Sequence, residues 1–278
     1  MICGTAAGPI DFRGAVLDTT ALGSEFVVEL SPKGDHLWSK NLGTASCRGL
    51  AVDSQGRAVL VGTLSESTDL GGGPLKFVGS WDMFVAVLDR DGRHVWSRSF
   101  GGARSDEANG VFVDADDNVL FTGAFSVDID FGGGRMAGPY SGGVFAAKLD
   151  RDGRHVWSHS LGAGAGDRAY SGGYAVAARD GAVFLTGTFH DRLELGSASI
   201  SALNDFFGNL GSDAFMLRID EAGRPKWARG FGGASIDLGV AVAVDRKGDA
   251  VFAGWYSGPN VVDGVVRDGG GFVTKCPR

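Results

Sequence analysis

Phe84-Val-Ala-Val-Leu-Asp-Arg-Asp-Gly-Arg-His-Val-Trp96-Ser-Arg-Ser-Phe-Gly-Gly102 is the stretch on which the reading of this chain turns. It returns as Phe145-Ala-Ala-Lys-Leu-Asp-Arg-Asp-Gly-Arg-His-Val-Trp157-Ser-His-Ser-Leu-Gly162. Looser copies run from Phe26 to Gly43 and from Phe215 to Gly233, and a fifth opens at Phe272. Tryptophans 38, 96, 157 and 227 keep step with it, as do glycines 4, 62, 123, 187 and 254. A repeat of this kind, carrying four short strands per period, is the pattern of propeller blades; the somewhat longer period here leaves room for longer loops.

One period reads as four strands. Ala108–Val113 and Val119–Phe125 flank the turn Asp114-Ala-Asp-Asp-Asn118; Val144–Leu149 and His155–Leu161 flank Asp150-Arg-Asp-Gly153. Asp, Asn and Gly accept positive φ, so these clusters between apolar runs signal hairpins. A glycine loop, Asp130-Phe-Gly-Gly-Gly134, joins the second strand to the third. No segment carries a helical period, so little helix is expected. The expected fold is an all-β propeller of about five four-stranded blades in a single domain, 1–278. The blades span approximately 1–43, 44–102, 103–162, 163–233 and 234–278. The first begins inside its second strand and the last ends after its third, so both are incomplete in sequence. Incomplete end blades would allow self-association.

Composition narrows the function classes. Glycine numbers 47 of 278 residues without a Gly-X-Y period, which fits many tight turns and excludes collagen. Net charge is −7 with scattered cations, so phosphate-neutralising nucleic-acid binding is not expected. No apolar run approaches the roughly 18–20 residues of a membrane helix. Met1-Ile-Cys-Gly-Thr5 lacks the features of a signal peptide, which suggests either a cytoplasmic protein or a chain given without its natural start. Cys3, Cys47 and Cys276 match no zinc spacing and are expected as small buried fillers.

Three motifs in fixed order resemble the bacterial SBBP β-propeller repeat family. They are Phe-Val-Ala-x-Leu-Asp-x-x-Gly-x-x-x-Trp (Phe84 to Trp96), Gly-Val-Phe-Val-Asp-Ala-Asp-Asp-Asn (Gly110 to Asn118) and Asp-Phe-Gly-Gly-Gly (Asp130 to Gly134). The strand order is also similar to NHL-type propellers. The resemblance implies a propeller, commonly in secreted or surface proteins, and no established catalytic residues. The family is named for seven blades; about five are counted here. Leu88 to Trp96 also resembles the tryptophan-docking segment of quinoprotein dehydrogenases, but lacks its threonine, and no quinone or calcium ligand set accompanies it.

Alternating strand direction sorts the loops onto two faces. The first face takes Asp106, Asp167 and Asp237 between blades, and Asp11, Asp69, Asp130, Glu194 and Asp263 in or near the glycine loops. One reading is a carboxylate-lined surface able to hold calcium, with Asp69, Asp130 and Glu194 as metal ligands. The other is that each aspartate bonds its own loop backbone, which repetition favours. On the second face Asp89-x-Asp91-Gly92 and Asp150-x-Asp152-Gly153 read as hairpin turns rather than EF-hand loops. The four in-step tryptophans read as inter-blade packing, and His36, His94 and His155 as structural. Trp81 and Trp255 break the pattern: they suit glycan or peptide recognition, or are covered by neighbouring loops, and Phe206 and Phe207 in the extra stretch Asp191–Asp213 either pack down over the blade or stand out as an apolar contact.

The expected function is a non-enzymatic binding or scaffold module for a glycan, peptide or protein on the first face, using Asp106, Asp167, Asp237, Trp81, Trp255, Phe206 and Phe207. No cofactor is required, with calcium as the optional exception. The alternatives are a carboxylate-dependent hydrolase or lyase at the axial channel, and a purely structural, self-assembling propeller.

Overall fold

The computed structural model describes residues 1–14, 16–19, 24–162, 170–195, 198–202, 211–233, 235–262 and 265–277. Among these residues there is no helix. Strand β1 (Ile2–Ala6) precedes a short ribbon of β2 (Ile10–Asp11) and β3 (Val16–Leu17); β4 (Ser24–Leu30) and β5 (His36–Gly43) then complete a three-stranded sheet, β1-β4-β5. The second sheet is a four-stranded meander of β6 (Ser46–Val52), β7 (Ala58–Leu64), β8 (Asp82–Leu88) and β9 (His94–Phe100).

The third sheet comprises β10 (Glu107–Val113), β11 (Val119–Phe125), β14 (Gly143–Leu149) and β15 (His155–Ser160), with a ribbon of β12 (Asp128–Asp130) and β13 (Arg135–Ala137) between its middle strands. The fourth repeats that plan: β16 (Gly172–Arg179), β17 (Ala182–His190), the ribbon β18 (Arg192–Leu195) and β19 (Ala198–Ser201), then β20 (Ser212–Asp220) and β21 (Pro225–Phe231). The fifth has three strands, β22 (Asp237–Val244), β23 (Ala250–Val262) and β24 (Val265–Cys276). All strand pairs are antiparallel. The fold is thus all-β, with three four-stranded sheets flanked by two three-stranded ones. The ribbons inside the glycine loops were not anticipated from the sequence.

Successive sheets stack, and their first strands β6, β10, β16 and β22 lie next to one another. Four apolar cores fill the four gaps. In β7, Val59 and Val61 enter the core shared with the third sheet, whereas Ala58, Leu60 and Leu64 enter the core shared with the first. In β17, Val183 and Leu185 face the third sheet, and Ala182 and Phe184 face the fifth. Side chains alternate across a strand, so a strand buried on both faces reads as a continuous apolar run. Ala58-Val-Leu-Val-Gly-Thr-Leu64 is buried along its whole length for this reason.

The in-step glycines and phenylalanines are cross-strand partners: Gly4 opposes Phe26, Gly62 Phe84, Gly123 Phe145, Gly187 Phe215 and Gly254 Phe272. Trp38, Trp96 and Trp157 dock on the hairpin of the following sheet. A Cβ at Gly92 would lie 2.6 Å from Trp38, one at Gly153 3.0 Å from Trp96 and one at Gly223 2.9 Å from Trp157. Trp96 Nε1 donates to Arg151 O at 3.0 Å and Trp157 Nε1 to Glu221 O at 2.9 Å. These glycines also sit at positive φ in the turn, so two constraints converge on one residue type.

The cysteines depart from expectation. Cys3 in β1 and Cys47 in β6 form a disulfide across the first gap, with Cα atoms 6.2 Å apart; only Cys276 is a buried free thiol. Sequence separation hid the pairing, because the stacking of β6 on β1 is what brings residues 44 apart together.

Candidate functional site

Each first strand slips register by one residue at the same place: between Cys47 and Gly49, Ala108 and Gly110, Gly173 and Ala175, and Gly239 and Ala241. Such β-bulges re-aim a side chain and often lie at functional sites. The cause is local. The carbonyls of Ser46, Glu107, Gly172 and Leu238 press onto the second-strand glycines, 1.8, 1.8, 2.0 and 2.1 Å from where a Cβ would stand. The backbone must buckle to admit them, and the residue left without a partner is Arg48, Asn109, Tyr174 or Val240.

One backbone feature thus presents a different side chain in each copy. Around it gathers a connected group. Arg48 Nη1 lies 3.9 Å from Glu107 Oε2, and its guanidinium 6.0 Å from the Trp81 ring centroid. The Tyr170 hydroxyl donates to Glu107 Oε2 at 3.3 Å, and Asn109 Nδ2 donates to Gly173 O at 3.1 Å. Burial, and next the Glu107 carboxylate, raise the Tyr170 and Tyr174 phenols above their ordinary range, so both stay protonated. Trp81 is 44% exposed, and Arg104 stacks on the exposed Tyr140 with its guanidinium 3.5 Å from the ring centroid. An aromatic ring, a cation and a carboxylate meet here, with the Asn109 amide buried beside them.

Trp81 and Asp106, two of the expected residues, meet here: Asp106 N donates to Trp81 O at 2.8 Å. The Asp106 side chain, however, is an interior brace. It is 0% exposed, and its oxygens accept from Gly102 N at 2.8 Å and Ser126 N at 3.0 Å. Burial raises its pKa to about 6, with the neighbouring Asp82 and Asp128 adding to the rise. Asp82 and Asp237 are buried too, and burial raises both. Asp237 accepts from Gly233 N at 2.9 Å, at the junction of the fourth and fifth sheets. Asp106 and Asp237, expected on an open surface, are therefore inside, whereas Asp11, Asp69, Asp130 and Glu194 are exposed. Trp255 is exposed and opposes Leu238 across β22–β23, away from Trp81. Asp167, Phe206, Phe207 and Asp263 lie outside the described residues.

The expected metal ligands are spread over three sheets and do not meet. Asp69 Oδ1 accepts from Gly71 N at 2.7 Å and Gly73 N at 3.0 Å; Asp130 Oδ1 repeats this with Gly132 N and Gly134 N at the same distances. Asp11 Oδ1 accepts from Arg13 N, and Glu194 lies 3.8 Å from Arg192 on the β18–β19 ribbon. Among the described residues no three His, Cys, Asp or Glu side chains converge as a metal site would require. The glycine loops rest on the recurring histidines: a Cβ at Gly72 would lie 2.1 Å from His94, and one at Gly133 2.2 Å from His155. Those rings bond Ser97 and Ser158, a structural duty.

The hairpin face uses its aspartates the same way. Asp89, Asp150, Asp220 and Asp245 each accept from the N–H groups two and four residues on, which fixes the turns. Between the third and fourth sheets this face opens a groove of about 440 Å³ lined by Phe112, Asp114, Lys148, Arg179, Asp180 and Glu221, with Lys148 paired to Asp114 at 2.9 Å.

Arg48, Glu107, Asn109, Tyr170 and Tyr174 were not singled out from the sequence. A signal existed: one repeat position, beside a first-strand small residue, holds Arg, Asn, Tyr and Val in turn. No family model matches the chain, and no curated protein matches it. Among the described residues no helix is long and apolar enough to cross a membrane.

Proposed function

We propose that the chain is a propeller of about five blades, resembling the SBBP repeats, that serves as a non-enzymatic module for binding a peptide or protein surface. The stacked meanders, with first strands adjacent and tryptophans docked on the next sheet, support the propeller reading. One observation carries the functional reading: a repeated bulge that turns out Arg48, the half-buried Tyr174 and Val240 while Asn109 is buried, with Trp81 beside Arg48 and Glu107 between Arg48 and Tyr170. What recurs in a repeat protein is scaffold; what varies at a recurring position is free to specify a ligand. Arg, Tyr and Trp are also the residues that dominate protein interfaces. A glycan is the second reading, favoured by the exposed rings of Trp81 and Tyr140.

The test is a screen of the purified chain on peptide and glycan arrays, followed by calorimetry with the best hit. Arg48→Ala and Tyr174→Ala are each expected to weaken binding by about tenfold or more, with unchanged melting temperature. A hit whose affinity ignores both substitutions would move the site elsewhere, first to the groove on the hairpin face.

A further inference from the structure

The gap between the third and fourth sheets is not a copy of the gap before it. The fourth sheet turns from its first strand to its second on Asp180-Gly181 alone, where the second, third and fifth sheets turn on Asp53–Arg57, Asp114–Asn118 and Asp245–Asp249. Asp180 and Gly181 both hold positive φ, as a tight hairpin requires. The longer turn of the third sheet reaches back to the second: Asp117 Oδ1 accepts from Ser54 N at 2.8 Å, and Asp117 Oδ2 from Ser54 Oγ at 2.7 Å. The shorter turn of the fourth sheet has no such residue to offer the third. Ala115 stands where Ser54 does, its N–H donates to nothing among the described residues, and the groove of about 440 Å³ opens beside it.

Two other positions change in step. Lys148 stands where the second sheet has the core residue Val87, and Ala178 where the third sheet has the bulkier Val113. Lys148 is 6% exposed, and among the described residues its one partner is Asp114 Oδ2 at 2.9 Å. That carboxylate is already committed to its own turn, accepting from Asp116 N, Asn118 N and Asn118 Nδ2. An ammonium carries three donors, so Lys148 has donors left for an acceptor in the groove. A nearly buried ammonium in place of a valine costs stability unless such a partner offsets it.

We propose that this groove binds a small free zwitterion, an amino acid or dipeptide, with its carboxylate on Lys148 and the Ala115 N–H, its ammonium between Asp116 and Glu221, and its apolar body on Phe112 and Leu120. The neighbouring gap supplies the model for the first contact, since there a carboxylate, that of Asp117, sits on the equivalent N–H. The second contact follows from the groove mouth. Asp116 on the third sheet and Glu221 on the fourth are exposed acids, whereas Arg179 is already paired with Asp180 at 3.8 Å. The lining therefore carries more acid than base, which disfavours a plain anion. A plain cation would leave the donors of Lys148 and Ala115 without an acceptor. A terminus of a longer polypeptide brings only one of the two charges. Pockets of this size, apolar with a few placed polar groups, suit small ligands. The site lies at the hairpin ends of the strands, away from the bulges, and does not depend on that reading.

The probe is the dipeptide glycyl-leucine, titrated into the intact protein by calorimetry, with saturation-transfer NMR in parallel. N-acetyl-glycyl-leucine, which lacks the ammonium, and glycyl-leucinamide, which lacks the carboxylate, are the controls. Saturable binding of glycyl-leucine with a Kd below about 1 mM is expected, and each control should bind about tenfold more weakly. Lys148→Met keeps the length of the side chain without its charge. It should weaken glycyl-leucine about tenfold and leave the affinity for glycyl-leucinamide unchanged. Glu221→Gln changes only an exposed group, so it tests the site even if Lys148→Met fails to fold. It should weaken glycyl-leucine about threefold and leave the acetylated control unchanged. No saturation by about 10 mM, equal affinity for either control, or wild-type affinity for glycyl-leucine in both variants would each overturn the proposal.

Discussion

Strands β1 and β7 hold the same glycine opposite the same phenylalanine, but one is open to solvent along an edge and the other is sealed. The difference shows what the glycine is for. It does not serve the glycine–phenylalanine pair, which forms in both sheets; it serves the first strand, whose carbonyl occupies the space a Cβ would need. The two strands also meet their neighbours differently. The Gly−1 position of the second strand holds Thr122, which crowds Gly173, and Thr186, which crowds Gly239. In β1 it holds Cys3, and the neighbour is Cys47. Where later gaps close by tight packing, the first closes by a covalent bond.

That contrast can be broken in several places. Removing the disulfide with Cys3→Ser and Cys47→Ser should cost most, about 4 kcal/mol for a closed loop of this length if chain entropy governs. Denaturant unfolding with and without reductant measures it, and equal midpoints would mean that packing alone holds the first gap. Next come the sealed glycines. Gly62→Ala, Gly123→Ala and Gly187→Ala each drive a methyl group into a backbone carbonyl and should lose about 3 kcal/mol, while Gly4→Ala stays within about 0.5 kcal/mol. Comparable losses at all four would refute the distinction between open and sealed strands.

A smaller effect tests the sealed junctions by pH. Asp106 has a folded pKa raised from 3.8 to about 6. A raised carboxyl pKa contributes stability that is present below the unfolded value and lost as pH climbs through the folded one. Wild-type unfolding free energy should therefore carry a component, on the order of 2 kcal/mol, that disappears between about pH 4 and pH 6.5. The component is read as the difference from Asp106→Asn across that range; parallel profiles would mean the carboxyl titrates normally. The smallest expected change concerns the glycine loops. Since Asp69 and Asp130 already accept two N–H groups each, millimolar calcium in place of EDTA should leave the melting temperature where it was. A clear upward shift would restore the metal reading.

Much of the architecture was legible because it is periodic. The Leu-Asp-x-x-Gly turns, the Trp96 and Trp157 docking positions and the Val119–Phe125 strand all follow from local patterns repeated at fixed distance. What was not legible depends on how neighbouring sheets approach. The Cys3–Cys47 bond needs β6 set beside β1. The burial of Asp106 and Asp237 comes with the backbone N–H groups of Gly102, Ser126 and Gly233 closing on them, and a solvated aspartate has the same letter as a buried one. The row of Arg48, Asn109 and Tyr174 needs the bulge, which arises from a glycine on another strand. Variation at one repeat position was visible in the letters, yet only the geometry sets those positions on adjacent strands.

The alternation of side chains between two cores has a consequence for how damage spreads. A lesion at Leu60 loosens the gap toward the first sheet, and one at Val59 or Val61, a single residue away, loosens the gap toward the third. Stability is then a chain of nearest-neighbour couplings, as in other stacked repeats. A lesion in one gap should therefore be felt first in the two sheets that share it and pass on from there like a row of falling tiles, with the Cys3–Cys47 bond acting as a stop at the first gap.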